Sequence, residues 1–286
     1  MNRSNMRDSL LRTAAFLCMC VFLLGNAHVS FADDLTYTEA YFTRHEGYSG
    51  IVEVPGKGPM RYYAQNDPLW QDMAYEHSDT QNRRPFGDGG CGPTAGAMAI
   101  ANLVPEAELS RISQYARKEY AICPCSITKE KCIHTYHARY VLTTQRDFTR
   151  FLPLVLGDFA IGNNTFGVYG RGADKGTNSG FLYQVAQAYG LTVTATTDKN
   201  AAFQALQRGC TVVGHAARGG AFTNTGHYLL IAHTDAEKVY VLDPLARDTY
   251  KTNQSKILEI LQPGLVAIKH SDYNATGIGS YMIFSR

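Results

Sequence analysis

Residues 226–244, "GHYLLIAHTDAEKVYVLDP", limit the possible folds of this chain more than any other stretch. Two apolar runs flank the short polar segment Thr234–Glu237, the pattern of two strands joined by a turn. Strands joined so closely pair antiparallel. Centring the pairing near Asp235 places His227, at the start of the first strand, opposite Asp243, at the end of the second. Directly opposed residues have Cβ atoms about 4.5–5.5 Å apart, close enough for a carboxylate to orient an imidazole. His233 lies six residues along the same strand, which at about 3.3 Å per residue is roughly 20 Å away. It cannot share Asp243 with His227 and reads as a solvated turn histidine.

The rest of the chain builds around this hairpin. "CTVVGHA", just before it, reads as a buried strand. Upstream, "GFLYQVAQAYG" has apolar residues at helical spacing and stops at Gly190, and "AAFQALQRG" is a shorter helix stopping at Gly209. "LTVTATT" between them alternates as a strand does. "MRYYAQNDPLW" is a short strand closed by a turn at Asn66-Asp67-Pro68, with the sole tryptophan, Trp70, as a core anchor. A helix-rich front and a strand-rich back indicate an α+β fold, with an antiparallel sheet covered by helices on one side.

The N-terminus is a separate matter. Arg3, Arg7 and Arg12 precede the apolar run Ala14–Leu24, and Ser30-Phe31-Ala32 offers small residues where a signal peptidase reads. A spanning helix needs about 20 apolar residues, more than this run supplies. Residues 1–32 are therefore read as a cleaved signal peptide, which makes the protein secreted or periplasmic with no membrane anchor after cleavage. Of 27 basic and 25 acidic residues, 3 and 1 fall in that leader, leaving 24 of each. Balanced charge with no basic cluster excludes nucleic acid as an expected partner. Residues 33–60 form an N-terminal extension, and 61–286 one domain with a divergent, cysteine-rich insertion over 105–178.

The chemistry centres on "FGDGGCGPTAGAMAIANL", residues 86–103. A helix is expected to begin at Gly92-Pro93-Thr94, since proline suits a first turn where its missing N–H has no helical partner. Cys91 stands at that start, where free backbone N–H groups and the helix dipole favour a thiolate. Flanking glycines make a poor setting for a packing thiol and leave room for a substrate backbone. Cys91 as nucleophile, His227 as base and Asp243 as orienter make a complete thiol-acylation set.

Three blocks in this order, "YYAQNDPLW", "GGCGPTAGAMAI" and "GHYLLIAHTDAEKVYVLDP", resemble the papain-like superfamily, specifically the exported cysteine peptidases related to bacteriocin-processing peptidases. The resemblance covers about residues 61–245 and matches poorly across 105–178. It implies a papain-like fold whose helical part carries the nucleophile and whose sheet carries histidine and aspartate. It also implies hydrolysis of a peptide or protein substrate without metal or organic cofactor. The family's order is glutamine, cysteine, histidine, then aspartate or asparagine, which carries over to Gln65, Cys91, His227 and Asp243. Gln65 would donate its side-chain N–H to the oxyanion, and Gln71 and Gln81 also lie upstream. Transglutaminase-like and cell-wall amidase enzymes share the Cys, His, Asp order, and an inactive peptide-binding module of the same fold is the non-enzymatic alternative.

Two further features stand apart. His215, ending "CTVVGHA", falls near the expected cleft and reads as structural or as a substrate contact. The stretch "CPCSITKEKCIHTYH" holds Cys123, Cys125, Cys132, His134 and His137. Zinc is one reading, although Cys-x-Cys is not a standard finger spacing. Export favours disulfides instead, since Cys210 brings the pairable cysteines to an even number and four allow three connectivities.

Overall fold

The computed structural model describes residues 48–71, 75, 85–115, 120–122, 138–140, 145–162 and 177–286. Strands β1 (Gly50–Val54) and β2 (Gly58–Tyr62) form an antiparallel hairpin. Then come α1 (Phe86–Gly89), α2 (Cys91–Ala101), a 3-10 segment over Glu106–Tyr115, and the paired strands β3 (Tyr120–Ile122) and β4 (Ala138–Tyr140). Helices α3 (Gln145–Arg150), α4 (Leu152–Gly162) and α5 (Gly180–Ala188) complete the front. The back holds β5 (Thr192–Thr196), α6 (Lys199–Gln207), β6 (Thr211–Ala216), β7 (His227–Thr234), β8 (Lys238–Leu242), β9 (Glu259–Gln262), β10 (Leu265–Lys269) and β11 (Ile278–Ser285). Helix α5 ends ahead of Gly190 and α6 ahead of Gly209, as the sequence leads one to expect.

These last strands make one antiparallel seven-stranded sheet in the order β5-β11-β6-β7-β8-β10-β9, with β7 at its centre. Helix and antiparallel sheet are thus combined as an α+β arrangement. The expectation of helices on one side is corrected: both faces are covered. Leu230 and Ala232 on β7 join the core that contains α2, α4 and α5, while Leu229 and Ile231 pack in a second core with Ala202, Ala205 and Leu206 of α6. The physical reason is the uninterrupted apolar run of β7, whose side chains point alternately to both faces and so need cover on each.

Helix α2 is buried from Cys91 to Ile100, so it runs through the core rather than along the surface. Small residues permit this, since a Cβ at Gly96 would meet Leu182 of α5 at 3.1 Å. Trp70 is 1 % exposed, donates its indole N–H to the Ala64 carbonyl at 2.9 Å, and packs edge-on against Phe151. Val52, Val54 and Met60, from residues 33–60, belong to the same core. The leader at 1–32 lies outside the described residues, as do Cys123, Cys125, Cys132, His134 and His137. Cys210, counted with them as pairable, has no disulfide partner among the described residues.

One turn ties the hairpin β1–β2 to the sheet. Tyr62 is fully buried and donates its hydroxyl to the Asp243 carbonyl at 2.8 Å. The Asp243 N–H in turn donates to the Gly264 carbonyl at 2.8 Å. Gly264 has φ +84°, and a Cβ there would stand 2.1 Å from the Tyr62 hydroxyl oxygen. Both the left-handed backbone and the contact require glycine. Gly264→Ala is expected to destabilise the protein by about 2 kcal/mol or more, from the strained φ and the displaced ring together. Urea unfolding measures this, and a change within about 0.5 kcal/mol, the size of an ordinary surface substitution, would contradict it.

Candidate active site

Cys91 begins α2, as anticipated, with the helix starting at the cysteine itself rather than at Gly92. The Thr94 hydroxyl and N–H both return to the Gly90 carbonyl, at 2.7 and 3.0 Å, closing the turn beneath the thiol. A Cβ on Gly92 would lie 2.5 Å from Cβ of Thr177, so no larger residue fits beside Cys91. Thr177 is held there by the Tyr75 hydroxyl at 2.8 Å. Cys91 is buried, with 9 % of its surface exposed.

His227 opens β7, and Asp243 follows β8 directly. Their pairing corrects the expected register. The ladder runs Thr234↔Val239 and His233↔Tyr240, shifts at a bulge, then continues Ile231↔Val241 and Leu230↔Leu242. Continued one step, it sets Asp243 opposite Leu229, two residues from His227. The two are diagonal neighbours, still within reach of long side chains. His227 Nε2 meets Asp243 Oδ1 at 2.6 Å, with side-chain exposures of 4 % and 0 %. His227 is also hydrogen-bonded to Cys91, and the contact to Asp243 leaves Nδ1 to face the thiol. His233 sits at the far end of β7, half-buried and stacked on Tyr240 with centroids 6.1 Å apart, rather than freely solvated.

The electrostatics of the three side chains agree. Burial disfavours a charged His227, but the Asp243 carboxylate and Cys91 outweigh it and raise the ring to about 9. Burial likewise resists a thiolate at Cys91, yet the hydrogen bond and charge of His227, with the N–H groups of Tyr228 and Gly92, bring the thiol below its ordinary value. At Asp243, burial is overcome by His227, Arg247 and Tyr250, and the carboxylate stays below the usual range. An imidazolium between a carboxylate and a thiolate is the arrangement these directions describe.

Gln65 is 2 % exposed and donates Nε2 to the Gly87 carbonyl at 2.6 Å, four residues before Cys91. Its Oε1 has no hydrogen-bond partner among the described residues. Its own N–H donates to the Pro244 carbonyl at 2.7 Å, while Asn66 exchanges two hydrogen bonds with Ala246. The "QND" turn is thereby stitched to the chain following Asp243. Gln71 meets Gly87 through its backbone carbonyl at 2.7 Å, and Gln81 lies outside the described residues. His215 sits on β6 opposite Tyr228, their rings 4.9 Å apart, and Ala216 beside it pairs His227. Burial and the charge of His227 lower its basicity, so it stays neutral beside the imidazolium.

Sequence reasoning missed the loop after Asp243. Leu245 N–H donates to Oδ1 at 2.8 Å, the Tyr250 hydroxyl donates to Oδ2 at 2.7 Å, and Arg247 Nη2 lies 3.6 Å from Oδ2. The only signal was proximity, since all three follow Asp243 within seven residues.

A raised histidine contributes stability that is complete below about pH 6.5 and is lost as pH rises through about 9. A proton-NMR titration of His227 should therefore give a midpoint near 9, and Asp243→Asn should drop it below the ordinary histidine value. A midpoint near about 6.5, the ordinary histidine value, in the unsubstituted protein would contradict the buried ion pair.

The family model described as "Peptidase_C39 like family" matches residues 59–262, which include Gln65, Cys91, His227 and Asp243. No curated protein matches the chain.

Proposed function

The chain belongs to the Peptidase_C39-like family, a group of papain-like cysteine peptidases, and from that premise we propose that it is an exported thiol hydrolase that cleaves peptide bonds through a Cys91–His227–Asp243 triad and an acyl-enzyme intermediate. The observation that carries this reading is one imidazole held between a buried carboxylate and the thiol at a helix start. Export is supported by the basic and apolar pattern of residues 3–32.

The chemistry follows from the charges. The Cys91 thiolate attacks the scissile carbonyl, and the electron pair moves to its oxygen. That oxyanion is received by the Cys91 backbone N–H and the free amide hydrogen of Gln65. Collapse of the intermediate expels the amine, which takes its proton from the His227 imidazolium. Neutral His227 then removes a proton from water, the hydroxide attacks the thioester, and the acid is released with the thiolate restored. Asp243 stays charged throughout and keeps Nε2 engaged, so that Nδ1 remains directed at the sulfur.

Hydrolysis of a peptide library, read by mass spectrometry, tests this. Cys91→Ala is expected to abolish cleavage, and Gln65→Ala to lower kcat/KM by about 10²–10³, the usual loss for one oxyanion donor. Cleavage that survives Cys91→Ala would overturn the reading. So would the absence of cleavage together with failure of any activated acyl ester to acylate Cys91, which would leave the inactive peptide-binding module.

A further inference from the structure

The residues following Asp243 surround its carboxylate in a way that backbone folding alone does not require. Oδ1 accepts from His227 and from the Leu245 N–H. Oδ2 faces the other way, accepts from the Tyr250 hydroxyl at 2.7 Å, and has the Arg247 guanidinium 3.6 Å off. Arg247 also lies over the Tyr250 ring, its central carbon 4.5 Å from the centroid. That ring also meets Phe222 edge-on, with centroids 5.7 Å apart. The Ser255 hydroxyl fixes the Tyr250 carbonyl at 3.0 Å. Tyrosine, arginine and carboxylate thus form one packed unit on the side of Asp243 remote from His227.

We propose that Tyr250 and Arg247 are positioning residues: by occupying Oδ2 they keep Oδ1 turned toward His227 and keep Asp243 ionised behind the imidazolium–thiolate pair. This rests on the triad reading above. Both act through Asp243, the group they contact. Removing the Tyr250 hydroxyl frees one carboxylate oxygen, so the group can rotate, and it concentrates negative charge on the oxygen nearest the imidazolium. Removing Arg247 takes a positive charge from the same region. Each change weakens the positive field that holds Cys91 as a thiolate, so each moves the loss of the thiolate to higher pH.

Other charged and titratable groups bear on the site and are common to every variant. Tyr62, from β2, binds the Asp243 carbonyl. Asp67 is close enough to act on Tyr62. His215, from β6, packs on Tyr228 and is close enough to feel the charge of His227.

The test is the rate of iodoacetamide alkylation at Cys91, followed by mass spectrometry of its peptide across pH, in the full protein. The variants are Tyr250→Phe, which keeps the ring against Phe222 and beneath Arg247, Arg247→Gln, and the pair together. Circular dichroism and thermal melting check that each is folded, and Arg247, whose side chain is 29 % exposed, gives a second variant if Tyr250→Phe is unstable. At the pH where the unsubstituted protein reacts at half its plateau, labelling should be roughly 3- to 10-fold slower in either single variant, the scale of losing one ordinary hydrogen bond. The midpoint should move to higher pH, furthest in the double variant. An unmoved midpoint, or an equal loss at every pH, overturns the inference and leaves the triad reading intact. Labelling of the unsubstituted protein that follows an ordinary thiol, unchanged by His227→Ala, overturns the triad reading and this inference with it.

Discussion

A carboxylate with no exposed surface, 2.6 Å from an imidazole that is 4 % exposed, is the constraint on which the remaining structure depends. A buried charge is tolerated only when paired and hydrogen-bonded, and breaking such a pair typically costs about 3–5 kcal/mol. Asp243 meets that requirement on every side. Its carboxylate has His227, Leu245, Tyr250 and Arg247, and its backbone has Tyr62 and Gly264. The partners come from β2, β7, the turn before β10 and the loop after β8. Satisfying one anion therefore joins the N-terminal hairpin to the sheet.

The same pair determines what the front of the molecule can do. Helix α2 would bury a neutral thiol without difficulty, since free cysteine is among the most buried residue types. With His227 beside it and N–H groups of Gly92 and Tyr228 directed at the sulfur, the thiol is brought below its ordinary value despite burial. Helix and sheet each supply half of the arrangement. The glycine at 92 lets Thr177 pack beside Cys91, in the space a side chain would take.

Local features of this architecture were legible in the sequence. The strands of the hairpin, the stops at Gly190 and Gly209, and the helix start at Cys91 each depend on a few adjacent residues, and the structure has them where the sequence implies. What escaped the sequence depends on contacts between distant or unpatterned residues. The bulge between Ile231 and His233 shifts the register and makes His227 and Asp243 diagonal rather than opposed, and no residue type announces it. The uninterrupted apolar run "LLIA" in β7 carries the signal for cover on both faces. The cage around Asp243 comes from 245–250, a stretch without helical or strand periodicity, so its contacts could not be inferred. Gln65 was found through a motif, whereas its bond to Gly87 and the tie from its N–H to Pro244 arise only when the two segments meet.

The central claim is that the buried His227–Asp243 pair maintains Cys91 as a thiolate at neutral pH. Ultraviolet thiolate absorbance, taken as the difference between the unsubstituted protein and Cys91→Ser across a pH titration, measures this most directly. The account predicts that the absorbance is present at neutral pH, well below the ordinary thiol value of about 8.5, and that it disappears there in His227→Ala. Absorbance that appears only near that ordinary value, with or without His227, would contradict it.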